Sequence, residues 1–301
     1  MTNTIEIDSV TRQFGRVRAL DSVSFAVPEH SFVGLLGRNG AGKTTVMSIM
    51  AGQDRPTSGN VTVAGHDPFE HAPTLAQISY VRDNQRYPDD YRLHHVLRIA
   101  PNFAPNWSPE VAAELVEGFR IPARTPIKKL SRGQLSSVAI VLGLASRAPI
   151  TLLDEPYLGL DVTARAFFHT VLLRDYEDHP RTVVFSTHLI EESASLFDRV
   201  VIMDKGRVVL DAASDEATET AWVMSGTTPA VTRLTGNAQV LSTSTVGGLM
   251  SATGFGALDS ETRELAQELR VQIVRATLQQ LVAAYGANDA ASDRKEEVRS
   301  A

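Results

Sequence analysis

The stretch GLLGRNGAGKTTV, residues 34–46, decides how the rest of the chain is read. Its centre, GRNGAGKT, sets Gly37, Gly42, Lys43 and Thr44 in the pattern G-x-x-x-x-G-K-[ST]. Glycines let the backbone fold tightly enough for successive N–H groups to face one anion. The helix expected to follow adds its positive N-terminal end. A lysine at this place reaches the β- and γ-phosphates of a nucleotide, and the threonine hydroxyl is a ligand for Mg²⁺. The flanks agree: an apolar run of strand length, 31–36, comes before, and the helix-like KTTVMSIMAG comes after. A glycine-rich turn without a ligand is the bland alternative, and the strand–loop–helix order argues against it.

Two further apolar runs have the texture of buried parallel strands. PITLLDEP (149–156) and RTVVFSTH (181–188) each end in polar residues. The first ends in Asp154 and Glu155. Adjacent acids at the end of a buried strand are costly unless a cation or hydrogen bonds balance them. Asp154 is therefore expected to hold Mg²⁺ opposite Thr44, and Glu155 to polarise the attacking water as a general base. A second polar, glycine-containing turn, KKLSRGQLSS (128–137), stands at the head of another expected helix, with Ser131 as its N-cap.

Composition narrows the class. The chain has 301 residues, 43% hydrophobic and 21% charged, an ordinary globular balance. It has no cysteine, so disulfides and Cys-ligated metals are excluded. A net charge of −6 argues against nucleic acid as a partner. MTNTIEIDSV carries no basic region followed by an apolar run, so no signal peptide is expected. No apolar run approaches about 18 residues, so no membrane-spanning helix is expected.

Along the chain, residues 3–36 read as strands, and 59–65 as another between turn glycines. From 82 to 149 the period turns helical, broken into short helices by prolines 88, 101, 105, 109, 122 and 126. DRVVIMDKGRVVLDA (198–212) reads as two strands around a Lys-Gly turn. The texture changes near 212. Residues 212–260 are rich in Ser, Thr, Ala and Gly with weak periodicity, ETRELAQELRVQIVRATLQQLVAAYG reads as more helical, and 287–301 reads as a disordered tail.

Together these residues resemble the ATP-binding subunits of ABC transporters. Leu130, Ser131, Arg132, Gly133 and Gln134 resemble the signature L-S-G-G-Q, with Arg132 replacing its first glycine. LGLD (158–161) resembles the D-loop and ends in Asp161, and FSTH supplies His188 as the switch histidine. Phe14 stands where the family keeps an aromatic that stacks on adenine. The resemblance covers residues 3–211. It implies an α/β P-loop NTPase core with an N-terminal antiparallel β subdomain and an inserted helical subdomain at about 82–149. An α+β extension would follow over 212–286. It implies that Gly37, Arg38, Asn39, Gly40, Ala41, Gly42, Lys43, Thr44 and Thr45 hold ATP. Ser131, Gly133, Gln134 and Asp161 would meet the ATP of a second copy, or of a homologous subunit, head to tail. Hydrolysis would involve Glu155, His188 and Lys43.

The Q-loop departs from the family. It reads ISYVRDNQRYP (78–88), which puts Asp83 in the place of the magnesium-contacting glutamine, with Gln85 as the alternative. Ser137 stands where the family has an arginine. The resemblance implies a cytoplasmic subunit, peripheral on the membrane, driving export through a separate transmembrane permease. Residues 82–107 would receive that permease, with Tyr87 and Tyr91 as contacts. A soluble mechanical ATPase is disfavoured, since the chain has one nucleotide-binding unit and no sustained heptad between loop and signature. A regulatory module that binds ATP without hydrolysing it is opposed by the intact Glu155 and His188.

Overall fold

The computed structural model describes residues 2–83 and 85–287. β1 (Asn3–Phe14) and β2 (Val17–Pro28) form a long hairpin, and β4 (Ser58–Val63) adds to β1 to complete a three-stranded antiparallel sheet. Between them, β3 (Phe32–Leu36) runs into the glycine-rich loop and α1 (Lys43–Met50). α2 (Ala72–Leu75) leads to β5 (Ile78–Arg82). The helical insertion follows, with α3 (Leu93–Ile99), α4 (Pro109–Gly118) and α5 (Arg132–Ala145). Pro109 opens α4 at a position that needs no N–H donor, and Ser108 caps it by accepting from Val111 N at 3.2 Å.

The chain returns as β6 (Ile150–Asp154), α6 (Val162–Asp178), β7 (Thr182–Ser186), α7 (Ile190–Ser193), β8 (Arg199–Asp204) and β9 (Arg207–Ala213). These strands and β3 form a six-stranded sheet in the order β5-β6-β7-β3-β8-β9, parallel except for β9 at its edge. β3, β6 and β7 are buried along their whole length, as covered parallel strands must be. Alternation sends Val33, Leu35, Leu152 and Val184 to the face covered by α1 and the antiparallel sheet. Phe32, Leu36, Leu153 and Phe185 go to the face covered by α5 and α6. The P-loop α/β architecture expected from sequence is the one observed.

Beyond β9 come α8 (Ser214–Thr220), β10 (Ala221–Thr227), α9 (Thr228–Leu234), β11 (Val240–Val246), β12 (Leu249–Phe255), α10 (Ser260–Glu268), β13 (Gln272–Arg275) and α11 (Leu278–Tyr285). The order β11-β12-β10-β13 is antiparallel throughout, a β-α-β-β-α-β arrangement of the ferredoxin-like kind. Trp222, Met224, Val231, Leu234, Ala252 and Val271 make its own apolar core. The stretch from 261, expected to be more helical than the one before it, carries two helices with β13 between them. Apart from Ala287, the expected tail lies outside the described residues.

Candidate functional site

The ends of β3, β6 and β7 meet at one edge of the central sheet, where an open α/β sheet presents ligand sites. β3 delivers the glycine-rich loop. Lys43, the first residue of α1, is 6% exposed, and its Nζ donates to Gly37 O at 2.7 Å and Arg38 O at 3.3 Å. Burial lowers its pKa, and the charges of Glu155 and Asp154 oppose that shift. Thr44 is exposed at the helix head, and Thr45 is half-buried.

β6 delivers the acids. Asp154 is 4% exposed, yet its carboxylate is partnered: Ser186 Oγ donates to Oδ1 at 2.5 Å, and Tyr80 OH faces Oδ2 at 3.5 Å. Burial first, then the charge of Asp154, pushes the Tyr80 hydroxyl up to about 12, so it stays a donor. Glu155 takes a left-handed turn, φ +49°, a costly backbone state for a residue with a side chain. Its N–H is held by Ser186, at 3.1 Å from both O and Oγ. The turn aims its carboxylate back across the sheet edge. Oε2 accepts from His188 Nδ1 at 2.6 Å and from His188 N at 3.3 Å. Oε1 is buried, has no hydrogen bond, and lies 3.7 Å from Lys43 Nζ. A buried carboxylate oxygen without a hydrogen bond keeps an accepting position for a third group, and the Lys43 charge beside it favours its ionised form.

The structure thus brings Lys43, Asp154, Glu155 and His188 together. It adds two residues that sequence reasoning missed, Ser186 and Tyr80. Ser186 stands two places before His188 in FSTH, and its position at the strand end was the available signal.

The signature residues lie elsewhere. Ser131 caps α5 in a reciprocal box: its Oγ accepts from Gln134 N at 3.3 Å, and Gln134 Oε1 accepts from Ser131 N at 2.9 Å. Gly133 packs on the D-loop of its own chain, so closely that a Cβ there would stand 2.2 Å from Gly159 O. Ser137, in the expected arginine position, is buried and donates back to Gly133 O at 3.0 Å. Asp161 caps α6 through Ala164 N at 2.8 Å. Among the described residues, none of these bonds reaches the 37–45 loop.

Asp83 follows β5 at this edge, one residue past the pairing of Arg82 with Asp154. Its carboxylate lies on Arg132, with Nη2 to Oδ2 at 2.6 Å and Nε to Oδ1 at 3.4 Å. The physical reason is the guanidinium at 132, a fork that fits a carboxylate side-on. Two of the departures from the family pattern, Asp83 and Arg132, are partners of each other. Gln85, Tyr87, Tyr91, Phe103 and Trp107 line an apolar groove of about 520 Å³ between β5, α3 and α5. Phe14 is half-exposed at the end of β1, with the Arg12 guanidinium 4.3 Å from its ring centre.

The sequence profile described as "ABC transporter" matches residues 20–158. The sulfate/thiosulfate import ATP-binding protein of Rhodopseudomonas palustris is 34% identical over 215 residues, 68% of this chain and 62% of the relative. The chain thus spans less than two thirds of that relative's length. An uncharacterised ABC transporter ATP-binding protein of Methanocaldococcus jannaschii is 30% identical over 217 residues, 69% of this chain and 77% of the relative. Among solved structures, an ATP-binding cassette in a dimeric post-hydrolysis state with ADP and phosphate superposes with a TM-score of 0.60. That match is at 25% identity and covers 70% of this chain and 98% of the other.

Proposed function

This chain belongs to the ABC transporter family of ATP-binding proteins, and on that premise we propose that it hydrolyses ATP to drive a separate membrane permease. The observation that carries the proposal is Glu155, fixed by His188 at one oxygen and holding the other bare beside Lys43. In this reading the 37–45 loop wraps the phosphates. Lys43 turns from Gly37 O toward the β- and γ-oxygens. Glu155 Oε1 takes the proton of the attacking water, and His188 keeps the carboxylate aimed. Phe14 stacks on the adenine with its open face.

The donor set fits magnesium. Thr44 and Asp154 offer hard oxygens, and Asp154 is already aligned by Ser186 and Tyr80. Magnesium is commonly held by one or two protein oxygens together with phosphates and water. Magnesium held there would offset phosphate charge.

Ser131, Gly133, Gln134 and Asp161 complete the site of a second copy, or of a homologous subunit, placed head to tail. The apolar groove beside Tyr87 and Tyr91 receives the permease. No helix among the described residues is long and apolar enough to cross a membrane, and we place the chain on the cytoplasmic face of one. In this reading the ATP-binding part spans 1–211 and the extension 212–286, with the last two residues of β9 crossing that boundary. Export, the direction that the resemblance implied, is not confirmed by the relatives named above. The printed name of the Rhodopseudomonas protein favours import as the second reading of direction.

The test is Glu155→Gln. The amide keeps the shape but takes no proton, so ATP should bind without turnover and the dimer should accumulate. Size-exclusion chromatography with and without ATP reads it, and a variant that stays monomeric at saturating ATP would refute the head-to-tail closure.

A further inference from the structure

The first variable residue of the phosphate loop reaches out of the loop. Arg38 O accepts from Ala41 N at 3.1 Å and from Lys43 Nζ at 3.3 Å, so its backbone belongs to the cradle. Its side chain goes the other way: Nη1 donates to Gly286 O at 2.9 Å, across 248 residues of sequence. Gly286 closes α11, the last element of the C-terminal unit. Helix ends of this polarity carry partial negative charge on their open carbonyls, and a guanidinium is their natural partner.

α11 is not a loose appendage. Leu278, Leu281, Val282 and Ala284 are buried in the same apolar cluster as Ile190, Leu196 and Phe197 of the nucleotide-binding part. One side of the helix packs on β11 and β12 of the C-terminal sheet, and another packs on α7. α7 begins two residues after His188. A single short helix therefore joins the C-terminal sheet to both sides of the nucleotide site. The fit at its end is close: a Cβ at Gly286 would stand 2.3 Å from Arg38 Cδ. Its φ is −76°, so the backbone admits any residue, and only the arginine stands in the way.

We propose that Arg38 is a positioning residue through which the C-terminal unit sets the affinity of the phosphate loop for nucleotide, with the Gly286 carbonyl as its anchor. The inference rests on the reading of residues 37–45 as the ATP loop. Anchored at its guanidinium, residue 38 holds its carbonyl against Ala41 N and Lys43 Nζ, and the loop keeps the shape that meets phosphate. Released, the loop gains freedom that binding must remove. By reciprocity, anything that shifts α11 through the C-terminal sheet changes nucleotide affinity by the same factor as nucleotide changes its binding.

The experiment is titration of the full chain with a fluorescent ATP analogue, in wild type, Lys43→Ala, Gly286→Ala, Arg38→Ala, Arg38→Lys and the Arg38→Ala/Gly286→Ala double variant. Thermal unfolding of each protein checks the fold. Gly286→Ala and Arg38→Ala should each weaken binding roughly three- to tenfold, and the double variant should be no weaker than Arg38→Ala alone, since both act on one contact. Arg38→Lys, which keeps one donor, should recover part of the loss. In turnover assays Gly286→Ala should raise KM while kcat stays within about twofold, which a general loss of structure would not do. Binding within twofold of wild type in both single variants, or additive losses in the double variant, overturns the proposal while Lys43→Ala still abolishes binding. Lys43→Ala that binds like wild type would sink the loop reading and this inference with it.

Discussion

The sheet-edge cluster and the head of α5 are built from the same device, a glycine-containing turn that opens a helix, yet the chain completes only one of them. At the sheet edge, Lys43, Asp154, Glu155 and His188 converge from different elements, and Ser186 and Tyr80 hold the acids. At α5 the polar groups bond to their own first turn and to Asp83, and they face outward. Burial follows the same division: Lys43 is 6% exposed, whereas the Arg132 side chain is 62% exposed. A converged, buried constellation can carry chemistry by itself. An outward-facing cap becomes a site only when another surface brings it a ligand. On the proposed function the first region is the engine and the second is offered to a neighbour.

Substitutions at the two regions should therefore fail in different ways. The largest loss is expected at the engine. Lys43→Ala removes a buried cation that the proposed function sets against the phosphates, and steady-state phosphate release should fall by about 10²- to 10³-fold with the circular dichroism unchanged. Retention of most of the turnover would remove the distinction between the regions. Gly133→Ala acts on the other side. Its Cβ would meet the backbone oxygen of Gly159, which has no flexible end to move away, so the head of α5 must shift. A shift on the order of 1 Å should cost turnover about 10²-fold. Binding of a fluorescent ATP analogue to the single chain should stay close to wild type, because the loop it uses is untouched. Loss of that binding would mean that the two regions are one.

Ser186→Ala sharpens the account of how the acids are held. The hydroxyl serves both, donating to Asp154 and accepting from Glu155 N, while the Ser186 carbonyl still accepts from Glu155 N in the variant. Loss of one hydrogen bond to a buried charge, about 1.5–3 kcal/mol, should lower kcat by roughly tenfold or more. Nucleotide binding measured without turnover should change much less. Ser186→Thr, which keeps the hydroxyl, should recover part of the rate.

What could be read from the sequence follows from how local each signal is. The loop at 37–44, the strand end at 154, the stretch running from the end of β7 to His188 and the Ser131 N-cap are short-range patterns in which each residue's partner is near in sequence or set by strand order. The extension was harder to read. QIVR (272–275) is a short edge strand with only Ile273 half-buried, so the helical pattern on both sides of it dominates. The strands at 240–255 bury few large side chains, and their Ser, Thr and Gly content resembles a loop. The contacts least accessible to sequence are those between distant single residues. Arg38 with Gly286 leaves no pattern, and neither does Arg132 with Asp83.

That last pair carries the smallest expected effect and the finest test. Read separately, Asp83 was a carboxylate in a glutamine's place, expected at magnesium, and Arg132 a tolerated replacement of glycine. The structure gives each a partner in the other, across 49 residues, between the end of β5 and the first turn of α5. If the carboxylate serves Arg132, Asp83→Ala should leave the magnesium concentration for half-maximal turnover within about twofold of wild type. Gln85→Ala should leave it there as well. A clear rise in Asp83→Ala alone would return the residue to the metal. The effect should appear instead in closure. The arginine is largely exposed, so the direct worth of the pair is small, and Asp83→Ala and Arg132→Ala should each raise the ATP concentration needed for dimerisation of the Glu155→Gln protein only about two- to fivefold. Exchange of the charges, Asp83→Arg with Arg132→Asp, should recover part of that shift, because the same two positions again hold opposite charges. Equal failure of the exchange and the single variants would show that the loop after β5 and the signature are not joined through this bond, and that the second region is positioned by the contact of Gly133 with Gly159 alone.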